Sequence, residues 1–198
     1  MFTGIVENLG ILKKIEPTAT GLVFSIFSEL PAEHFTKGNS IAVNGVCLTV
    51  ETYEPPTKLF TVSLVPETLE RTMFKSAKLE QKLNLETSLT LQKPLAGHLV
   101  LGHSDFTAAV LKAAPELEIA IPAEFMKYFP EKGSVTVHGV SLTIAKRHDF
   151  SIEMAIIPET LRSTNLGELQ VGDSVNIEID VLARYLETLS GPAGSAKQ

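Results

Sequence analysis

Two short segments place small polar side chains at matched positions: Cys47-Leu48-Thr49 within Asn44-Gly-Val-Cys-Leu-Thr-Val50, and Ser141-Leu142-Thr143 within His138-Gly-Val-Ser-Leu-Thr-Ile144. Residues two apart on an extended strand share a face, so each segment presents one polar pair. Such pairs suit a polar recess built twice, holding two similar ligands. They equally suit hydrogen bonding across a small barrel, or packing inside it. Glu67-Thr68 and Glu159-Thr160 recur in the same way and would either contact a polyhydroxylated group or cap a local helix start. The five histidines invite a metal hypothesis that spacing does not favour: His98 and His103 are five apart in Gly97-His-Leu-Val-Leu-Gly-His103, which as a strand sends them to opposite faces. Cys47 is the single cysteine and no zinc-type spacing surrounds it, so no metal is expected. With no G-x-G-x-x-G, P-loop or G-x-S-x-G, dinucleotide, nucleoside triphosphate and α/β-hydrolase chemistry lose their usual support.

The elements that must position these groups come in two copies. Pro66-Glu-Thr-Leu-Glu-Arg-Thr72 returns 92 residues later as Pro158-Glu-Thr-Leu-Arg-Ser-Thr164, and the hairpin segment returns after 94. Pro31-Ala-Glu matches Pro122-Ala-Glu, Asn84-Leu-Glu matches Asn176-Ile-Glu, and Thr3-Gly4-Ile5 corresponds to Leu101-Gly102-His103. Five collinear matches point to a duplicated unit of about 90 residues. Asn44-Gly45 predicts a type I′ hairpin turn, and His138-Gly139 takes its place in the second copy as a turn residue, histidine being tolerant of positive φ. Further strands are predicted at Thr3 to Ile11, Leu22 to Phe27, Lys58 to Val65 and Lys82 to Thr87, with counterparts in the second half. About six short strands per unit favour closure into a barrel, which removes exposed edges. Pro31, Pro66, Pro122 and Pro158 mark short helix starts. Val181, Leu182, Tyr185, Leu186 and Leu189 form one apolar stripe on a terminal helix, which packs on its own barrel or mediates self-association; Gly191 to Gln198 read as a disordered tail.

The 198 residues carry 17 Lys and Arg against 23 Asp and Glu, and a formal charge of −6 repels phosphates, so no nucleic-acid partner is expected. The N-terminus lacks the basic and apolar regions of a secretory signal, and the lone cysteine gives no intrachain disulfide, so a cytoplasmic protein is expected. No apolar run approaches the roughly 18 residues that span a bilayer, and no membrane partner is expected.

Taken together, MFTGIVE, NGVCLTV, GHLVLGHSD, HGVSLT, the two PETL segments and NIEIDVLARYLE resemble riboflavin synthase of the duplicated-barrel type, over essentially the whole chain. The resemblance implies an all-β fold of two tandem six-stranded Greek-key barrels, residues 1–96 and 97–179, followed by a C-terminal α-helix and tail, 180–198, that assemble a homotrimer. It implies a cofactor-independent enzyme that binds two molecules of 6,7-dimethyl-8-ribityllumazine per active site. One donates a four-carbon unit to the other, giving riboflavin and 5-amino-6-(ribitylamino)uracil. The active site would lie between the first barrel of one subunit and the second barrel of its neighbour, and association with other enzymes of the pathway is left open.

Carried over by the same resemblance, Gly4, Ile5 and Val6, then Cys47, Leu48 and Thr49, then Ser63, Leu64, Val65, Pro66, Glu67 and Thr68 line the first-barrel site. Gly102, His103 and Ser104, then Lys132, then Ser141, Leu142 and Thr143, then Ala155, Ile156, Ile157, Pro158, Glu159 and Thr160 belong to the second. Phe2 is expected to close over the bound ring. The chemistry needs a proton taken from an acidified methyl group and a nucleophile added to the partner ring. Imidazole titrates near neutrality, which makes His103 the expected proton carrier. Cys47 and Ser40 are candidate nucleophile or ring-contact groups, and Ser141, Thr143 and Asp180 a network assisting proton transfer. Aligning two substrates would itself supply much of the rate.

Four departures from the family pattern stand out. His138 replaces an acidic residue, which bears on the second-barrel polar network. Ser104 and Phe106 interrupt the usual Gly-His-Val-Asp-Gly run, Met73 to Ala77 replaces Thr-Asn-Leu-Gly, and Thr87-Ser88 replaces a basic stretch. The rival within the fold is a non-catalytic lumazine- or flavin-binding antenna protein, against which Cys47 and His103 argue. A structural β module would explain the duplication but not two matched polar pairs.

Overall fold

The computed structural model describes residues 1–190; the expected tail, 191–198, lies outside the described residues. Alternation builds the first sheet. Along Val46–Glu54 (β4), Val46, Leu48 and Val50 point inward while Cys47 and Thr49 point outward. With Asn8–Thr18 (β1), Gly21–Phe27 (β2), Ser40–Val43 (β3), Leu59–Leu64 (β5) and Lys82–Thr87 (β6), it closes into a barrel of order β1-β2-β5-β4-β3-β6. Phe24, Phe35, Phe60 and Phe74 fill it, Phe24 and Phe74 meeting edge to face at 5.6 Å.

The second sheet comprises Phe106–Lys112 (β7), Glu116–Ala120 (β8), Ser134–Val137 (β9), Val140–Thr143 (β10), Lys146–Arg147 (β11), Ser151–Ala155 (β12) and Ser174–Ile179 (β13). Its order, β10-β9-β13-β7-β8-β12-β11, repeats the first if β10 and β11 are two halves of one strand. The expected fourth strand of this unit is thus broken in two, and the sheet curls without closing. At the break Ile144 turns into the core and its N–H and C=O pair with Gly133 and Lys132 instead of a neighbouring strand.

Pro66–Arg71 (α1) and Pro158–Ser163 (α2) begin on their prolines as expected, and Pro31 and Pro122 each precede a short 3-10 turn. Asp180 accepts the Leu182 N–H at 2.9 Å and caps Val181–Ser190 (α3), whose Leu182, Tyr185, Leu186 and Leu189 are exposed. Two expected strands are corrected. The first begins at Asn8, leaving Thr3 to Glu7 as a loop, and Gly97 to His103 is a loop whose one strand-like contact is the bridge between Phe2 and Val100. Around Gly4 and Gly102 the chain leaves its own sheet and reaches the other unit. Among the described residues no helix is long and apolar enough to cross a membrane.

Candidate active site

Strand pairing assembles the polar faces. Ser40 lies opposite Thr49, Ala42 opposite Cys47, and Glu86 of β6 opposite Ala42. Opposed residues share a face, so these five line the outside of the first barrel. The second sheet repeats the plan with Ser134 opposite Thr143, Thr136 opposite Ser141, and Glu178 of β13 opposite Thr136.

A loop from the other unit covers each face. The Cys47 N–H donates to the Gly102 carbonyl at 2.7 Å, and the Ser141 N–H to the Gly4 carbonyl at 2.8 Å. Both glycines have positive φ, +75° at Gly4 and +81° at Gly102, and a Cβ on either would sit 2.6 Å from the Cβ of Ser141 or Cys47 respectively. This corrects the expected division of the site: within one chain Gly4, Ile5 and Val6 belong to the Ser141 side, and Gly102, His103 and Ser104 to the Cys47 side. Val6 packs on the second core, and Glu67 of α1 lines one recess of about 310 Å³ with His103 and Ser104. Nearness in sequence placed each loop with its own unit, whereas a segment entering a barrel strand can run past the barrel's rim to its neighbour.

Buried carboxylates hold the loops. Glu86 accepts the Thr3 N–H and hydroxyl, both at 2.7 Å, and the Gly4 N–H at 2.9 Å. Glu178 accepts the N–H groups of Leu101, Gly102 and His103 at 2.6, 2.9 and 3.0 Å. Hydrogen bonds to ionised acceptors are the stronger kind, which fixes both loop backbones. Lys93 lies 3.2 Å from Glu86. Burial pushes the Glu178 carboxyl above the ordinary value, opposed by its three backbone donors.

The two histidines part company as expected, though on a loop and not a strand. His98 sits on the second face, Nδ1 2.7 Å from the Ser141 hydroxyl and Nε2 3.1 Å from that of Thr136. Burial lowers its pKa, with the Asp180 charge opposing. His103 is exposed on the first side. Among the described residues no group of three His, Cys, Asp or Glu side chains could hold a metal.

Other expected contacts fall differently. Leu48, Leu64 and Ile156 are buried in the barrel cores and cannot present side chains to a ligand outside them. Phe2, expected over a ring, is fully buried with Ala42 and Val100 against the Cys47 strand. Ser63, Val65, Pro66 and Glu67, and their counterparts Ala155, Ile157, Pro158 and Glu159, are exposed at the rim, while Thr68, Thr160 and Leu142 are half-buried. Lys132 and Thr143 are exposed, and Asp180 caps α3 through Oδ1. His138 lies away from the Ser141 cluster, at the buried hairpin tip, where its Nδ1 accepts the Asn176 N–H at 3.0 Å. The sequence offers Glu86 and Glu178 only through the repeated Asn-Leu-Glu and Asn-Ile-Glu, and it brings forward His98 only as a metal candidate that spacing disfavours, not as a partner of Ser141.

The lumazine binding domain family matches this chain twice, over residues 3–88 and 101–180. Riboflavin synthase of Photobacterium leiognathi is 40% identical over 195 residues, covering 96% of this chain and 88% of that protein. The Actinobacillus pleuropneumoniae riboflavin synthase is 36% identical, covering 100% of this chain and 94% of its own. The chain belongs to the riboflavin synthase family. It is an enzyme of that family, with two barrel-like sheets carrying the two lumazine-binding repeats. The Mycobacterium bovis riboflavin synthase, 38% identical, covers 98% of this chain and is itself covered in full. Among solved structures, LumP complexed with riboflavin has a TM-score of 0.78 at 26% identity, covering 90% of this chain and 99% of that one. LumP complexed with 6,7-dimethyl-8-(1'-D-ribityl) lumazine has a TM-score of 0.75 at the same identity, covering 90% of this chain and 98% of its own.

Proposed function

We propose that this riboflavin synthase family member dismutates two molecules of 6,7-dimethyl-8-ribityllumazine into riboflavin and 5-amino-6-(ribitylamino)uracil. The observation that carries the reading is the crossed pair of polar faces, each closed by the other repeat's glycine loop, so that two matched sets of polar groups are available to two copies of one substrate. A four-carbon unit leaves one lumazine and joins the other, so what one ring loses the other gains, and no cofactor is required. His103 carries the proton from the acidified methyl group; Cys47 and Ser40 face the partner ring; Ser141, Thr143 and Asp180, now joined by His98, support proton transfer on the second face. Both faces lie on the outside of their sheets, and the exposed apolar side of α3 supports a homotrimer in which neighbouring subunits close them. Residues 1–96 and 97–179 act as its two lumazine-binding domains, in the cytoplasm.

The likeness to LumP favours one other reading, binding without turnover. Incubation of the purified protein with the lumazine separates the two. The dismutase consumes two lumazines for each riboflavin and each uracil product released, measured by chromatography. A shift in lumazine fluorescence with no riboflavin formed would instead make the chain a carrier.

A further inference from the structure

Each covering loop carries an acid three residues after its glycine, Glu7 after Gly4 and Asp105 after Gly102. Both acids reach back to the last strand of their own unit. Glu7 accepts the Thr87 hydroxyl at 2.9 Å, and Asp105 Oδ2 accepts the Ile179 N–H at 2.8 Å. Both also take a cation from the segment leaving that strand, but the two cations have different origins. Glu7 pairs with Lys93 in the connection between the units, whereas Asp105 pairs with Arg184 on α3. The pairs differ in a second way. Lys93 also neutralises Glu86, the carboxylate that holds the Gly4 loop, while Glu178, which holds the His103 loop, is stabilised by backbone N–H groups and destabilised by burial. Among the described residues Glu178 has no cation paired with it, and the ion pair nearest the His103 loop is the one between Asp105 and Arg184. Asp105 is nearly buried, and Arg184 and His103 line the same recess.

We propose that Arg184 is a positioning residue for His103: by gripping Asp105 it fixes the His103 loop and ties its geometry to the docking of the C-terminal helix. The proposal rests on the dismutation reading of the site. Its route is short: guanidinium to Asp105, Asp105 to the end of β13, and β13 through Glu178 to the amides of residues 101 to 103. A planar guanidinium suits a carboxylate that must be held in one orientation, and lysine supplies the charge without the fork.

The test uses the full chain with Arg184→Met, Arg184→Lys, Asp105→Asn and the double variant Asp105→Asn/Arg184→Met. In Arg184→Met, kcat should fall about tenfold with KM for the lumazine held within about twofold, since a displaced proton carrier affects the chemical step more than binding. Arg184→Lys should recover at least about half of the loss, and the double variant should lose no more than either single one, as members of one pair do. Hydrogen exchange at the amides of Leu101, Gly102 and His103 should quicken about tenfold while Thr3 and Gly4, held by Glu86 and Lys93, stay unchanged. Asp105→Asn leaves the helix surface intact and gives the same readout if Arg184→Met disturbs assembly. Unchanged exchange in both Arg184→Met and Asp105→Asn, additive losses, or kcat within about twofold of the parent in both would overturn the proposal. If the parent chain forms no riboflavin, the dismutation reading fails, and the exchange comparison still decides whether Arg184 positions the loop.

Discussion

His103 and His98 face different demands because their surroundings differ. His103 is exposed in a recess beside Glu67, whereas His98 is wedged between the hydroxyls of Ser141 and Thr136 and held toward its neutral form by burial. His103→Gln should slow turnover about a hundredfold, the low end for loss of a general acid or base, while lumazine affinity measured by fluorescence titration stays nearly intact. Activity close to the parent's would remove His103 from the mechanism. Cys47 is tested by comparing two replacements: Cys47→Ser keeps a polar group on the outer face of β4 and should retain more activity than Cys47→Ala. Equal rates would reduce Cys47 to packing. Cys47 and Ser141 were legible in the sequence because the Asn-Gly turn set the strand's phase and alternation did the rest. Glu86 and Glu178 were not, because alternation says only that they point out of their barrels, and what buries them is a loop belonging to no strand.

The loops around Gly4 and Gly102 are where local pattern and tertiary structure diverge. Their apolar residues predict strands, yet positive φ at each glycine and contact with the opposite hairpin make them connectors between units. The interruption between β10 and β11 was equally invisible, since Ile144 continues the apolar alternation and makes the same two backbone bonds, to Gly133 and Lys132, that Val50 makes to Asn39 and Gly38 within the unbroken β4. Hairpins and helix starts are legible because Asn-Gly and Pro act through their own backbone preferences. A pair of glycine substitutions separates dihedral strain from loop seating. Gly38→Ala meets nothing within 4 Å at φ +93°, so it incurs only backbone strain, about 1–2 kcal/mol. Gly102→Ala adds a collision 2.8 Å from the Cys47 backbone nitrogen, and should both lower the denaturant midpoint further and abolish most turnover. Equal behaviour of the two variants would show that the close approach of the loop to Cys47 has no part in the site.

At the scale of the whole molecule the two units meet hairpin tip to hairpin tip, a Cβ on Gly45 lying 2.6 Å from the Gly139 nitrogen. Duplication was readable from collinear repeats, but the exchange of loops across this junction was not, because repeats reveal likeness and not relative placement. Around the tips the bonding is nearly symmetric: Asn84 Nδ2 donates to the His138 carbonyl at 2.8 Å and Asn176 Nδ2 to the Asn44 carbonyl at 3.0 Å. Asn44 Oδ1 accepts the Asn84 N–H at 2.8 Å, and His138 Nδ1 plays that part for Asn176 at 3.0 Å. The symmetry breaks on protonation, since imidazolium has no acceptor nitrogen. Burial lowers the His138 pKa from 6.5 to about 4. An unfolded chain therefore takes up this proton before the folded one does. The stability it represents is present in full above pH 6.5 and is lost as pH falls toward 4, a difference of about 3 kcal/mol. Asparagine tolerates the positive φ of 49° at this turn and offers an amide oxygen that does not titrate. His138→Asn should leave the urea midpoint at pH 7.5 close to the parent's and make it fall less than the parent's does toward pH 4.5, the remaining loss including that of His98, whose pKa burial also lowers. An equal acid loss in both proteins would place the origin of acid sensitivity elsewhere than the junction between the two units.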